Sequence, residues 1–123
     1  MPASLSSDAI ELLDLLAYVY LENNRPEKAV IVLNALSALG QTDARSLTLL
    51  ALALLRSGKP ETALSTLERV AMSGGVNAAF HLVRAQALFA LERSEEAGAA
   101  MQAYVALRAA AASTRADAGT LIP

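Results

Sequence analysis

The stretch Ala51–Leu67, ALALLRSGKPETALSTL, decides the fold. It reads as the end of one helix, a turn at Ser57-Gly58-Lys59-Pro60, and the start of a second helix. Gly58 supplies a residue that closes a helix in the left-handed conformation. Pro60 suits the first turn of the next helix, where its missing N–H is no loss. Ala51 and Ala63 flank this turn, and residues that small let two helices folded back on one another approach closely. The arrangement recurs once before this stretch and once after it, at a constant spacing. Ala17, Ala51 and Ala85 are in register, as are Ala29, Ala63 and Ala97, and Leu33, Leu67 and Met101. In the first copy Asn24 and Pro26 stand for Gly58 and Pro60; in the third, Glu92 and Ser94 do, which makes that turn the weakest.

A 34-residue period with a pair of small residues in each unit is the signature of the tetratricopeptide repeat. The expected fold is therefore all-α: three tetratricopeptide-like helix-turn-helix repeats, at about residues 8–41, 42–75 and 76–112, forming a short right-handed superhelix. One domain spans residues 1–113, and residues 114–123 form a flexible C-terminal tail. Working outward from the central turn, Ser6, Ser7 or Asp8 caps a first helix ending near Glu22, and a second runs from Pro26 to about Leu39 before Gly40. Thr42 or Asp43 caps the third, Ser73-Gly74-Gly75 ends the fourth, and Asn77 opens the fifth. A long alanine-rich helix closes the chain near Ala112. His81 and Arg84 fall where Leu13 and Leu16, or Leu47 and Leu50, sit in the other units. The fifth helix is expected to be rotated or more solvent-exposed there.

Composition excludes several classes. The net charge is −2 and the ten basic residues form no patch, so nucleic acid is not an expected partner. There is no cysteine, hence no disulfide framework and no thiol chemistry. The one histidine, His81, has no carboxylate or second histidine at helical spacing. Ser73-Gly74-Gly75 lacks the Lys-Ser/Thr that completes a phosphate loop, and Glu11 and Asp14 read as a solvated helix face. The chain is expected not to be an enzyme and to need no cofactor or metal. Met1–Asp8 lacks the basic and apolar regions of a signal peptide, and no run is long and apolar enough to insert directly into a membrane. The hydrophobic fraction, 54%, is nevertheless high, so apolar surface is left for a partner to cover.

The first helix of each repeat lines the concave side of such an array. Projection from Ala17, Ala51 and Ala85 puts Glu11, Asp14, Tyr18, Leu21 and Glu22 there from the first unit, and Arg45, Thr48, Leu52, Leu55 and Arg56 from the second. Ala79, Leu82, Gln86, Phe89 and Ala90 come from the third. The expected partner-binding groove is Tyr18, Leu21, Thr48, Leu52, Leu55, Leu82, Gln86 and Phe89. Pairing of Glu11 with Arg45 and of Glu22 with Arg56 would leave it neutral. An amphipathic helix is its natural ligand. The first helix is also apolar nearly all round, through Leu12, Leu13, Leu15, Leu16, Val19, Tyr20 and Leu21, so a dimer or a wrapping partner is expected to cover it.

With the repeats placed, Leu15–Leu107 resembles the small tetratricopeptide chaperones of bacterial type III secretion, the Y-type family (SctY, YscY). The residues that carry the resemblance are Lys28-Ala29-Val30-Ile31-Val32-Leu33-Asn34-Ala35-Leu36, Arg84-Ala85-Gln86, and the closing helix around Ala97 with Ala103-Tyr104-Val105-Ala106-Leu107. The resemblance implies a bacterial cytoplasmic chaperone that holds an X-type secretion protein (SctX) as a heterodimer and presents it to the export gate protein, without cofactor. Two alternatives stand beside it. One is a chaperone for a needle subunit or a translocator. The other is a self-associating structural or assembly module, a homodimer in its simplest form.

Overall fold

Six helices follow one another in the computed structural model, which describes residues 6–120, with side chains to Arg115. They are α1 (Ser7–Glu22), α2 (Pro26–Ala38), α3 (Ala44–Arg56), α4 (Pro60–Met72), α5 (Ala78–Ala90) and α6 (Ser94–Thr120), with no strand among the described residues. One device stops each of the first five. A residue in the left-handed conformation follows the helix: Asn24 (φ 57°), Gly40 (68°), Gly58 (81°), Gly74 (79°) and Glu92 (61°). The next N–H then donates back to a carbonyl of the last turn: Arg25 to Tyr20 at 2.7 Å, Gln41 to Leu36 at 2.9 Å, Lys59 to Leu54 at 2.9 Å, Gly75 to Val70 at 3.0 Å and Arg93 to Leu88 at 2.9 Å. This is the Schellman closure, which satisfies carbonyls the helix itself leaves open.

The sixth helix lacks that device. Arg108 stands one repeat after Gly74, in an alanine-rich run, so nothing ends the helix there. The helix expected to close near Ala112 therefore continues to Thr120, into the segment read from sequence as a tail. Residues 121–123 of that segment lie outside the described residues.

Helix starts alternate between two solutions. Ser6 Oγ accepts the N–H of Ala9 at 3.2 Å, Asp43 Oδ1 that of Ser46 at 2.8 Å, and Asn77 Oδ1 that of Phe80 at 2.9 Å, capping α1, α3 and α5. α2 and α4 begin instead with Pro26 and Pro60. At the start of α6, where Ser94 replaces proline, Arg93 grips Glu96 through two hydrogen bonds of 3.0 and 2.8 Å.

Short turns fold consecutive helices back on one another. Beyond chain neighbours, the first helices of successive pairs meet, α1 against α3 and α3 against α5, and Arg69 of α4 donates to the Ser37 hydroxyl of α2 at 3.2 Å. The six in-register alanines sit at the crossings, none more than 5% exposed. Around them Leu33, Leu36, Leu67, Val70 and Leu88 fill the interior. Met101, in register with Leu33 and Leu67, is 40% exposed, because no described helix packs over it. His81 and Arg84 are half-buried. The His81 ring stands edge-on to Phe80, centroids 5.1 Å apart, and Phe80 takes the buried position.

Three outcomes follow from this packing. Ala63→Leu overpacks the central crossing and costs roughly 1–3 kcal/mol, read as a lower denaturant midpoint with unchanged slope. Glu92→Gly removes a left-handed non-glycine residue and raises stability by about 0.5–1 kcal/mol, whereas Gly58→Ala lowers it by about 1 kcal/mol; paired thermal melts read both signs. The Ser46 backbone N–H holds the Asp43 carboxyl below its ordinary value of 3.8. Its stabilisation is present above that value and is lost as pH falls through the depressed folded value. Asp43→Ala costs about 1 kcal/mol at neutral pH, and the deficit shrinks below pH 3.8, whereas Asp43→Asn keeps the cap at both ends of the titration.

Candidate functional site

Three helix faces in repeat register build one groove. α1 contributes Asp14, Leu15 and Tyr18; α3 contributes Arg45, Thr48, Leu49, Leu52 and Arg56; α5 contributes Ala79, Leu82, Val83 and Gln86, with the capping Asn77 beside them. On α3 and α5 these positions step by three and four residues, the spacing of a single helix face. Read across the array they form rows: Asp14, Thr48, Leu82; Leu15, Leu49, Val83; Tyr18, Leu52, Gln86. None comes from α2, α4 or α6, so the second helices hold the first ones from behind. The groove is open and encloses about 540 Å³.

Its middle is apolar and its edges are polar. Leu15, Leu49, Leu52, Leu82 and Val83 make the floor, and the half-exposed Tyr18 ring forms one wall. Asp14 is turned inward: the buried Ser46 hydroxyl donates to both its carboxylate oxygens, at 2.8 and 2.9 Å, and so ties α1 to α3. Thr48 donates to the Ala44 carbonyl at 2.8 Å, so its hydroxyl is already satisfied within α3. Arg45 and Arg56 lie eleven residues apart on α3, about 16 Å along the helix axis. The expected pairs Glu11–Arg45 and Glu22–Arg56 do not form. The ion pair present among the described residues is Arg93–Glu96, outside the groove. Arg56 makes a long 3.5 Å contact to the Leu21 carbonyl, so both arginines keep charge free for a ligand.

Of the residues read from sequence as groove-lining, Tyr18, Thr48, Leu52, Leu82 and Gln86 come together here. Leu21, Leu55 and Phe89 do not. They sit one turn beyond Tyr18, Leu52 and Gln86, and a step of three residues rotates about 60° off the groove face. Their row faces the next repeat. Leu21 is buried in the core, Leu55 packs half-buried against it, and Phe89, on the last described repeat, is 72% exposed. Phe89 lines a separate shallow depression with Ala85, Ala97, Gly98 and Met101. The reading missed the row Leu15, Leu49 and Val83, whose signal was three apolar residues in register. Among the described residues no three His, Cys, Asp or Glu side chains converge on a point where a metal could bind, and no helix is long and apolar enough to cross a membrane.

No curated protein matches the chain in sequence. Among solved structures, the crystal structure of PcrH in complex with the chaperone binding region of PopB superposes with a TM-score of 0.77 at 25% identity, covering 87% of this chain and 86% of that one. Residues 23–104, well over half of the chain, match the family described as anaphase-promoting complex, cyclosome, subunit 3. With its repeated helical pairs and its alanine crossings, the chain belongs to this family of tetratricopeptide-like repeats.

Proposed function

We propose that the chain is a bacterial cytoplasmic chaperone of type III secretion that holds an apolar segment of an export client in the groove of α1, α3 and α5. The observation that carries this reading is the groove itself, an apolar floor with an unpaired arginine toward each end and wide enough to seat a peptide. The likeness to PcrH, crystallised with a chaperone binding region, supports it at the level of the whole fold. Burial of the client segment would keep it soluble until the export gate takes it. This is work done by contact area alone, so we assign the chain no enzymatic step and no cofactor.

For the client we favour an SctX-type protein in a heterodimer, on the resemblance of residues 15–107 to the Y-type chaperones. The groove refines what that client must present. Leu49, Leu52, Leu82 and Val83 call for a run of apolar side chains, and Arg45 and Arg56 call for carboxylates flanking it, about 16 Å apart. The PcrH–PopB likeness favours a second reading, in which a client of PopB's kind takes the place of SctX.

Co-expression with each client separates the two readings, and one variant tests both. Tyr18 and Leu82 come from the two outer helices of the groove, α1 and α5, and belong to no core cluster. Tyr18→Glu with Leu82→Glu is expected to abolish co-purification of the client while the helical circular dichroism stays intact. The expected loss is about 2 kcal/mol or more per anchor, added to the cost of burying an unpaired charge. Arg45→Glu with Arg56→Glu weakens binding and reverses its salt dependence. Undiminished binding by the Tyr18/Leu82 variant would remove the groove from consideration as the client site.

A further inference from the structure

The described helices leave apolar side chains exposed at both ends of the array. Within the array, α5 meets the preceding pair through Phe80, Arg84 and Leu88, which line one cleft with Leu64, Leu67, Glu68 and Ala71 of α4. Two repeats earlier, Phe80 and Arg84 become Leu12 and Leu16 of α1. No described helix precedes α1, and Leu12 is 64% exposed where its counterpart Ser46 in α3 is buried. Val19 is exposed as well, where Ala53 and Ala87 are fully covered. At the other end, Leu64, Leu67 and Ala71 become Gly98, Met101 and Val105 of α6. Met101 and Val105 are exposed, and Phe89 of α5 stands bare beside them. A methyl group on Gly98 would meet nothing within 4 Å, so the α6 face has a notch where Leu64 fills the middle repeat.

α1 carries Asp8, Glu11, Asp14 and Glu22 and no basic residue. The last pair with its turn, residues 78–120, carries four arginines against four acidic residues, so what it offers α1 is local. Arg108 occupies the position of Gly40 and Gly74, which lead into the first turn of the next helix. A helix docked in that place would bring its own first turn, Asp8 in the case of α1, beside Arg108. The chain's own last helix does not fold back over this face, since α6 runs on without a turn to Thr120.

We propose that a second copy of this chain docks its α1 on the α5–α6 face of the first, continuing the array head to tail in the register by which α3 follows α2 and α5 follows α4. Such a contact uses different patches on the two partners, so it propagates unless it closes into a ring. The stripe of Leu12, Leu16 and Val19 lies outside the groove, so this association and client binding are separate properties with separate tests.

Two variants test the proposal by sedimentation velocity with light scattering. A front variant carries Leu12→Glu and Val19→Glu; a back variant carries Phe89→Glu and Met101→Glu. All four positions are exposed, so circular dichroism of both is expected to match that of the parent chain. The parent chain is expected to gain mass with concentration beyond the dimer or to close into a ring, and each variant alone to be monomeric. An equimolar mixture of the two is expected to form a species of twice the monomer mass and nothing larger, since it contains one intact front and one intact back. A monomeric parent at millimolar concentration overturns the proposal. So does a back variant that still dimerises, which would mean α1 pairing with α1, or a mixture of helical variants that stays monomeric. If a double variant loses helicity, the single changes Leu12→Glu and Met101→Glu repeat the mixing experiment.

Discussion

The close approach of two helices at an alanine is the constraint on which the rest of the molecule depends. At Ala17 with Ala29, Ala51 with Ala63, and Ala85 with Ala97, the first and second helices of a pair meet with only a methyl group on each side. That separation fixes where Leu33, Leu36, Leu67 and Val70 can pack, because their volumes must fill what the crossings leave. It also turns each first helix so that its remaining face lies away from its partner. Three such faces, repeated in register, become one surface. The groove is thus a by-product of the packing rule: its floor is the side of α1, α3 and α5 that the second helices do not reach.

Much of this was legible in the chain because the same information is written three times. A single alanine pair says little; three in register say which residues cross, where each turn falls and which helices share a side. The turn chemistry was equally direct. Asn24, Gly58 and Glu92 all adopt the left-handed conformation, although Glu92 is a poor residue for it, because the register demands it. What escaped the reading was information held between repeats. Leu21, Leu55 and Phe89 look alike along their helices, yet one is buried, one half-buried and one bare, because each has a different neighbour. The end of α6 was misplaced because the signal was an absence, an arginine where two earlier repeats have glycine. Asp14 was expected to be a free carboxylate of the concave rim, and it spends its acceptor oxygens on Ser46.

The surface divides into regions of different physical character. The groove combines apolar rows with cationic ends, which suits a ligand that is apolar in the middle and acidic at its edges. The ends of the array expose apolar side chains, and α1 carries acidic residues with no basic one. The outer side carries scattered apolar residues, such as Ile31 and Met72, that form no continuous patch with either. Three kinds of surface on so small a scaffold follow from its elongation, since an array buries less of its own area than a sphere of the same mass.

Each helix touches only its neighbours in the chain and the helix two places along, and this bears on how the molecule is made. Contacts close over short stretches of sequence, so little loop entropy is lost before each one forms. The first pair has its partners once α3 and α4 exist, and it needs nothing from α6. A chain emerging from the ribosome can therefore acquire structure from its N-terminal end while the last pair is still being synthesised. Opening of the last pair likewise leaves the first one standing, because the only connection between them is the row of interfaces in the middle.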